Sequence, residues 1–287
     1  MRTIIPAILL GLAFSSAWAR VAEMDDSGKT VSLERQAKRI VSLAPSITEL
    51  LYASGAGGRI VGAVDYSDYP EDALRLPRVG DAQSLDIERI ASFRPDLVVA
   101  WKTGNSIGQI RKLEDLGLTV FFVEPRHLSD IPVEIEKLGR LAGTGDAARH
   151  SALEFRSGIA DLKNRYSGMP PVKVFYEIWP DPLMTINDDH IISDVMRLCG
   201  ARNVFGNLPL LAPTVSLEAV LKADPDAIIG AGEGDRRPPW LAEWKKWKIK
   251  AARHLYFIPA DLISRPSPRI LQGAKRLCEA VDEARQR

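Results

Sequence analysis

A chain of 287 residues, 46% hydrophobic and 26% charged, can bury one large core or two smaller ones and is no disordered polymer. Its 38 basic and 37 acidic residues give a formal charge of +1, which offers no electrostatic case for nucleic acid or an anionic membrane surface. Past the N-terminus, no stretch has enough uninterrupted apolar residues to span a bilayer.

The first 19 residues read as a secretory signal. Arg2 is followed by an apolar run at 4–14, too short to cross a membrane, and Ala17-Trp18-Ala19 fits a small-x-small cleavage pattern. Cleavage would leave a chain starting near Arg20 in the periplasm. A buried N-terminal helix is the alternative. The chain has two cysteines, Cys199 and Cys278. An even count in an exported chain points to a disulfide, with two unpaired buried thiols as the alternative.

In chain order, residues 30–33 predict a short strand, and the β-branched run 39–43 predicts a buried one. Ser46 is expected to N-cap the next helix, with Glu49 completing a capping box. Residues 60–64 predict a strand, 86–93 a helix, 97–100 a strand, 106–116 a helix and 119–123 a strand. After residue 170 the alternation returns, with strands at 172–178, 227–229 and 255–258 and helices at 191–198, 217–222 and 269–284. Strands alternating with helices at this spacing imply parallel α/β sheets.

Two segments echo each other. Glu88 is followed seven residues later by Pro95-Asp96 and then an apolar strand; Glu218 is followed in the same way by Pro225-Asp226. The echo suggests two lobes of related topology, against coincidence of a common turn. Between them, Ala148, Ala152, Phe155, Ile159, Leu162 and Tyr166 form one apolar stripe on a helix of about 20 residues, roughly 30 Å long. Gly168 can cap it in the left-handed conformation, and Pro170-Pro171 forbid its continuation. The expected organisation is a signal at 1–19, an N-terminal lobe at 20–144, a bridging helix at 145–168 and a C-terminal lobe at 169–287. The fold class is α/β: two Rossmann-like lobes joined by one long helix, with a ligand cleft between them.

Catalytic motifs are missing: the sequence has no nucleophile elbow, P-loop or dinucleotide fingerprint. The four histidines are scattered without metal-ligand spacing, so no metal site is expected. Asp188-Asp189 reads as a solvated turn. Aromatic and polar residues instead gather where strands end: Tyr66 and Tyr69 after residue 64, Trp101 after residue 100, and Trp179 after residue 178. Open parallel sheets bind ligands at the carboxyl ends of their strands. Rings with a few polar groups there suit a large, flat, amphipathic ligand, while interface packing is the alternative for any single ring.

Arg39-Ile40-Val41-Ser42-Leu43-Ala44-Pro45-Ser46, Arg94-Pro95-Asp96-Leu97-Val98-Val99 and Ser267-Pro268-Arg269 resemble segments of the helical-backbone periplasmic binding proteins for iron complexes and cobalamin. Tyr66-Ser67-Asp68-Tyr69-Pro70, Ala100-Trp101 with Gly104-Asn105, and the two cysteines resemble its cobalamin-binding branch. The resemblance implies a non-enzymatic carrier, most simply a monomer. It would take a corrinoid as cargo with no resident cofactor, and pass it to the membrane permease subunits of an ABC importer. It implies a Cys199–Cys278 bridge, docking through Glu88 and Glu218, and ligand contacts from Tyr66 and from Asp261, Leu262, Ile263, Ser264 and Arg265. An Asp261–Arg265 local salt bridge is the alternative for that pair.

The sequence departs from that branch at Ala82, Met184 and Ala212, where large aromatic residues surround the ligand. Trp179, Trp240 or Trp244 would then have to supply stacking surface. His127, in a loop after a strand, is a surface histidine that could also reach a cobalt centre. Haem or a ferric siderophore is the alternative cargo, a metal ion a more distant one, and a periplasmic hydrolase the alternative from another functional class.

Overall fold

The computed structural model describes residues 20–166, 168–232, 234 and 236–286. The expected signal at 1–19 lies outside the described residues. An antiparallel hairpin of β1 (Val21–Met24) and β2 (Thr30–Leu33) opens the chain. The first lobe follows: β3 (Ile40–Ser42), α1 (Pro45–Ala53), β4 (Ile60–Ala63), α2 (Ile87–Ser92), β5 (Leu97–Trp101), α3 (Ile107–Asp115), β6 (Val120–Val123) and α4 (Asp130–Ala142). Helix α5 (Gly145–Tyr166) leads to the second lobe. That lobe contains β7 (Val172–Glu177), a small hairpin of β8 (Trp179–Pro180) and β9 (Leu183–Met184), α6 (Ile191–Leu198), β10 (Ala201–Asn203), α7 (Leu217–Ala223), β11 (Ala227–Gly232), β12 (Leu255–Pro259), α8 (Ala260–Ile263) and α9 (Ile270–Gln286).

Both lobes carry a four-stranded parallel sheet with one topology. The orders are β4-β3-β5-β6 and β10-β7-β11-β12, so in each sheet the first strand in chain order is central and the second is at the edge. The sequence echo is therefore a true structural correspondence. Asp86 caps α2 by accepting from Arg89 N (2.9 Å), and Ser216 caps α7 by accepting from Ala219 N (3.2 Å). Each helix leads into a residue at positive φ, Arg94 at 44° and Asp224 at 43°, directly before Pro95 and Pro225. The aspartate that follows then seals the start of the neighbouring strand. Asp96 accepts from Lys38 N and Arg39 N (2.7 and 3.0 Å), and Asp226 accepts from Lys173 N (2.9 Å).

Period-two alternation distributes the first sheet between two cores. Ile40, Leu97, Val99, Phe121 and Val123 face one side, while Val41, Val98, Ala100 and Val120 face the other. The inner core does not stop at the lobe boundary. It continues through Ala148, Phe155, Leu162 and Tyr166 of α5 into Val172, Val174, Tyr176 and Ile229 of the second sheet. The expected stripe is buried in α5, with Ile159 partly buried at its edge. Gly168 takes φ +81° just beyond the helix.

The expected cap of α1 is corrected by the structure. The helix begins at Pro45, whose fixed φ suits a first helical position, and Ala44 precedes it without a side-chain cap. Glu49 is free of any capping duty. Helix α4 had no counterpart among the expected elements. Its buried Ile131, Ile135, Leu138, Leu141 and Ala142 have helical spacing, but Pro132 interrupts the pattern and is tolerated only because it falls in the first turn. Cys199 and Cys278 are disulfide-bonded, joining the end of α6 to α9.

Candidate functional site

At the carboxyl ends of the strands in both lobes, the residues divide into a charged cluster that joins the lobes and a set of rings. The cluster centres on Glu49 of α1, whose side chain is 2% exposed. Its carboxylate accepts from Arg265 Nη1 (2.9 Å), Arg269 Nη1 (3.2 Å) and Ser267 Oγ (2.5 Å), all from the second lobe. Arg265 also donates to Asp68 Oδ1 (2.6 Å) and to the Tyr66 carbonyl (3.2 Å). Arg269 pairs with Asp261 and lies over the Tyr69 ring, 4.2 Å from its centroid.

The local Asp261–Arg265 pair is thus corrected: each takes a different partner, because the chain after α8 turns Arg265 toward the first lobe. Burial pushes the Glu49 carboxyl above its ordinary range, and the Ser267 and Arg265 donors pull it part of the way back. At Asp68 burial acts in the same direction, but the Arg265 hydrogen bond and charge outweigh it and hold the carboxyl below the usual range.

Tyr66 is brought to this cluster through its backbone. It sits at φ +62°, unusual for a bulky residue, and is 77% exposed. Arg265 holds its carbonyl, and Arg78 holds those of Val64 (3.3 Å) and Ser67 (3.0 Å) on either side. The strained conformation is therefore held by two arginines and aims the ring into solvent. Of the segment after β12, Ser264 is exposed and Asp261 is partly so, whereas Leu262 and Ile263 turn inward, 7% and 0% exposed. Their side chains pack in the core.

Trp101 ends β5 with its indole directly over Gly104. A Cβ on Gly104 would come within 1.8 Å of that ring, so only glycine permits the arrangement. Asn105 fixes the loop by accepting from Trp101 N (2.7 Å) and donating to the Leu43 and Ala82 carbonyls (both 2.9 Å). Trp179 opens β8, 58% exposed, with its Nε1 donating to the Asp181 carbonyl (2.9 Å). It pairs across the hairpin with Met184, so both share one face.

Trp240 and Trp244, also expected to supply stacking surface, pack with the second lobe's smaller core. Trp244 is 5% exposed, edge-on to Phe175, and its Nε1 donates to Glu177 Oε2 (2.6 Å). Trp240 packs over Gly230. His127 is engaged elsewhere: its Nδ1 lies 3.1 Å from Asp194 of α6, which also accepts from Leu128 N (3.2 Å). Glu88 and Glu218 are both exposed, at equivalent positions in the first turns of α2 and α7. Hydrogen bonds from its own backbone and from Ser216 hold the Glu218 carboxyl below its usual range. Among the described residues no group of His, Cys, Asp and Glu is placed to hold a metal ion, and no helix is long and apolar enough to cross a membrane.

A family model described as periplasmic binding protein matches residues 40–261, most of the chain. The chain belongs to this family. The vitamin B12-binding protein of Vibrio cholerae is 33% identical over 246 residues, covering 84% of this chain and 88% of the relative. That of Yersinia pestis is 34% identical over 245 residues, covering 85% and 86%. The crystal structure of the periplasmic vitamin B12-binding protein of Vibrio cholerae superposes with a TM-score of 0.79 at 32% identity, covering 88% of this chain and 99% of that one. This periplasmic binding protein therefore has the two-lobed α/β fold of its relatives.

Sequence reasoning missed Glu49. The only signal was an acid inside an otherwise apolar helix face, and a local cap offered a sufficient explanation for it.

Proposed function

We propose that this protein captures a corrinoid of the vitamin B12 type between its lobes in the periplasm and delivers it to an ABC importer without a catalytic step. The observation that carries the reading is the one-third identity to vitamin B12-binding proteins over more than four-fifths of the chain, in a fold with rings and hydrogen-bonding groups at the cleft edge. The corrinoid is cargo, and the protein needs no resident cofactor. Tyr66, Trp101 and Trp179 offer ring surface to the macrocycle. Ser264, Asp261 and Arg265 suit its amide side chains, since arginine donates and carboxylate accepts. Arg265 keeps donor capacity for this, because only part of its five N–H groups is used by Glu49, Asp68 and Tyr66. Residues 1–19 act as the export signal, and the carrier works as a monomer.

Calorimetric titration with cyanocobalamin and cobinamide, with haemin as comparator, tests the reading. One-to-one corrinoid binding is expected, and Tyr66→Ala or Arg265→Ala should weaken it by about tenfold or more. Firm haemin binding without corrinoid binding would move the cargo to iron complexes.

Glu88 and Glu218 present one carboxylate on each lobe to a two-fold membrane partner and steer docking. The double variant Glu88→Ala/Glu218→Ala should keep its corrinoid affinity yet lose delivery by about tenfold or more, read as labelled cyanocobalamin uptake into vesicles carrying the importer. Undiminished uptake would remove both glutamates from the docking surface.

A further inference from the structure

The three donors on Glu49 come from one short segment, Arg265-Pro266-Ser267-Pro268-Arg269, in which donors and prolines alternate. The prolines restrict the backbone, so the two guanidinium groups and the hydroxyl are held ready before the carboxylate arrives. Glu49 belongs to the first lobe and lies 216 to 220 residues away in sequence. The side chains of Arg265 and Arg269 are 18% and 13% exposed, so the contact is nearly dry at its centre. Its rim is wetter: Asp68 is 50% exposed and Asp261 36%. A second polar link between the lobes, from His127 and Leu128 to Asp194, is carried by a side chain 53% exposed at His127.

We infer that Glu49 is a positioning residue that acts through Arg265 and Arg269 as an ionic lock, setting the separation of the two lobes and hence the width of the cleft. The inference rests on the corrinoid-carrier reading only for the cargo that the cleft holds. A lock of this kind is specific in geometry, because an arginine fork and a fixed hydroxyl accept one carboxylate orientation. It is also easy to open. When the lobes part, each ion regains water, so separation costs far less than parting an apolar seam of equal area. That property suits a carrier whose lobes must be pulled apart at a transporter. Arg265 adds the link to cargo: the arginine held by Glu49 also pins the Tyr66 carbonyl, so a shift of the lock moves the most exposed ring of the cleft.

The test places one spin label on each lobe, at Ser92→Cys and Lys222→Cys, both exposed and at matching places on α2 and α7. No described cysteine is free to compete for label, since Cys199 and Cys278 are bonded to each other. Pulsed EPR on the ligand-free protein should give one narrow distance distribution. Glu49→Gln should broaden or shift it and speed cyanocobalamin dissociation by about tenfold or more, because two arginines lose their buried counter-charge. Arg269→Gln alters the other side of the lock and should produce the same change. The double variant should add little to either alone, as expected of residues acting as one unit. Glu154→Gln, exposed on α5 and outside the cluster, should change both readouts by less than about twofold. An unaltered distance distribution in both Glu49→Gln and Arg269→Gln overturns the lock. A wild-type protein that binds no corrinoid would overturn the carrier reading instead, and the ligand-free distances would still decide the lock.

Discussion

Reduction of the Cys199–Cys278 bond is expected to lower the unfolding midpoint by roughly 6–20 °C. The bond closes a loop of 79 residues that includes most of the second sheet. In the chain-entropy account, releasing a loop of this size from the unfolded ensemble removes about 3–5 kcal/mol of stability, and a protein of this length loses about 2–4 °C per kcal/mol. Both cysteines are fully buried between α6 and α9. Reduced thiols are small and apolar enough to stay there, so the native packing should persist and the loss should be felt through the unfolded state. Thermal scans of the oxidised protein, the reduced protein and Cys199→Ala/Cys278→Ala check this. A shift below about 2 °C would show that the open loop is already restrained by packing around α9.

Stability should also fall as pH rises from about 5 to 7, the reverse of ordinary acid denaturation. Two buried carboxyls cause it. Glu134 of α4 is pushed up to about 7 by burial and by the neighbouring Asp26, with Lys137 opposing. Glu177, at the end of β7, is pushed up to about 7 by burial, with the Trp244 N–H opposing. In the unfolded chain both revert toward 4.5. Between these limits the folded protein holds two protons that the unfolded chain releases, so their contribution is full at low pH and lost as pH rises through 7. His190 works the other way: burial lowers it to about 4, so below about 6.5 the unfolded chain takes a proton that the folded one refuses. Among these three groups, with the raised Glu49 carboxyl acting in the same direction as the two glutamates, the balance in the window from about 4.5 to 6.5 is one extra proton on the folded state. This corresponds to a loss of about 1.4 kcal/mol per pH unit.

Urea unfolding at pH 5.0, 6.0 and 7.0 reads this slope directly. Glu177→Gln keeps an oxygen to accept from Trp244 and should bring the slope close to zero across the lower part of the window. Glu134→Gln should do the same at its own site. The double variant should remove the downward slope, leaving His190 opposed by Glu49. A slope unaffected by either substitution would mean that both carboxyls are already ionised in the folded protein.

The local elements of this protein were largely determined by its sequence. Short β-branched runs, capped helix starts and the Pro-Asp joints at residues 95–96 and 225–226 specify elements through contacts a few residues apart. The stripe from Ala148 to Tyr166 did the same for the bridging helix, since each member lies three or four residues from the next. Even the duplication of lobe topology was visible, because both copies need the same left-handed residue before proline and the same aspartate on the neighbouring strand. What only the tertiary structure decided were the partners of polar groups. Glu49 reads locally as half of a capping box, yet its charge is met by arginines more than 200 residues away. Trp244 reads as a free ring and is consumed by Phe175 and Glu177; His127 is taken by Asp194. The physical reason is range. Backbone preference and hydrophobic period act within a turn or two of chain, whereas a buried charge must be satisfied by whichever donors the fold brings to it.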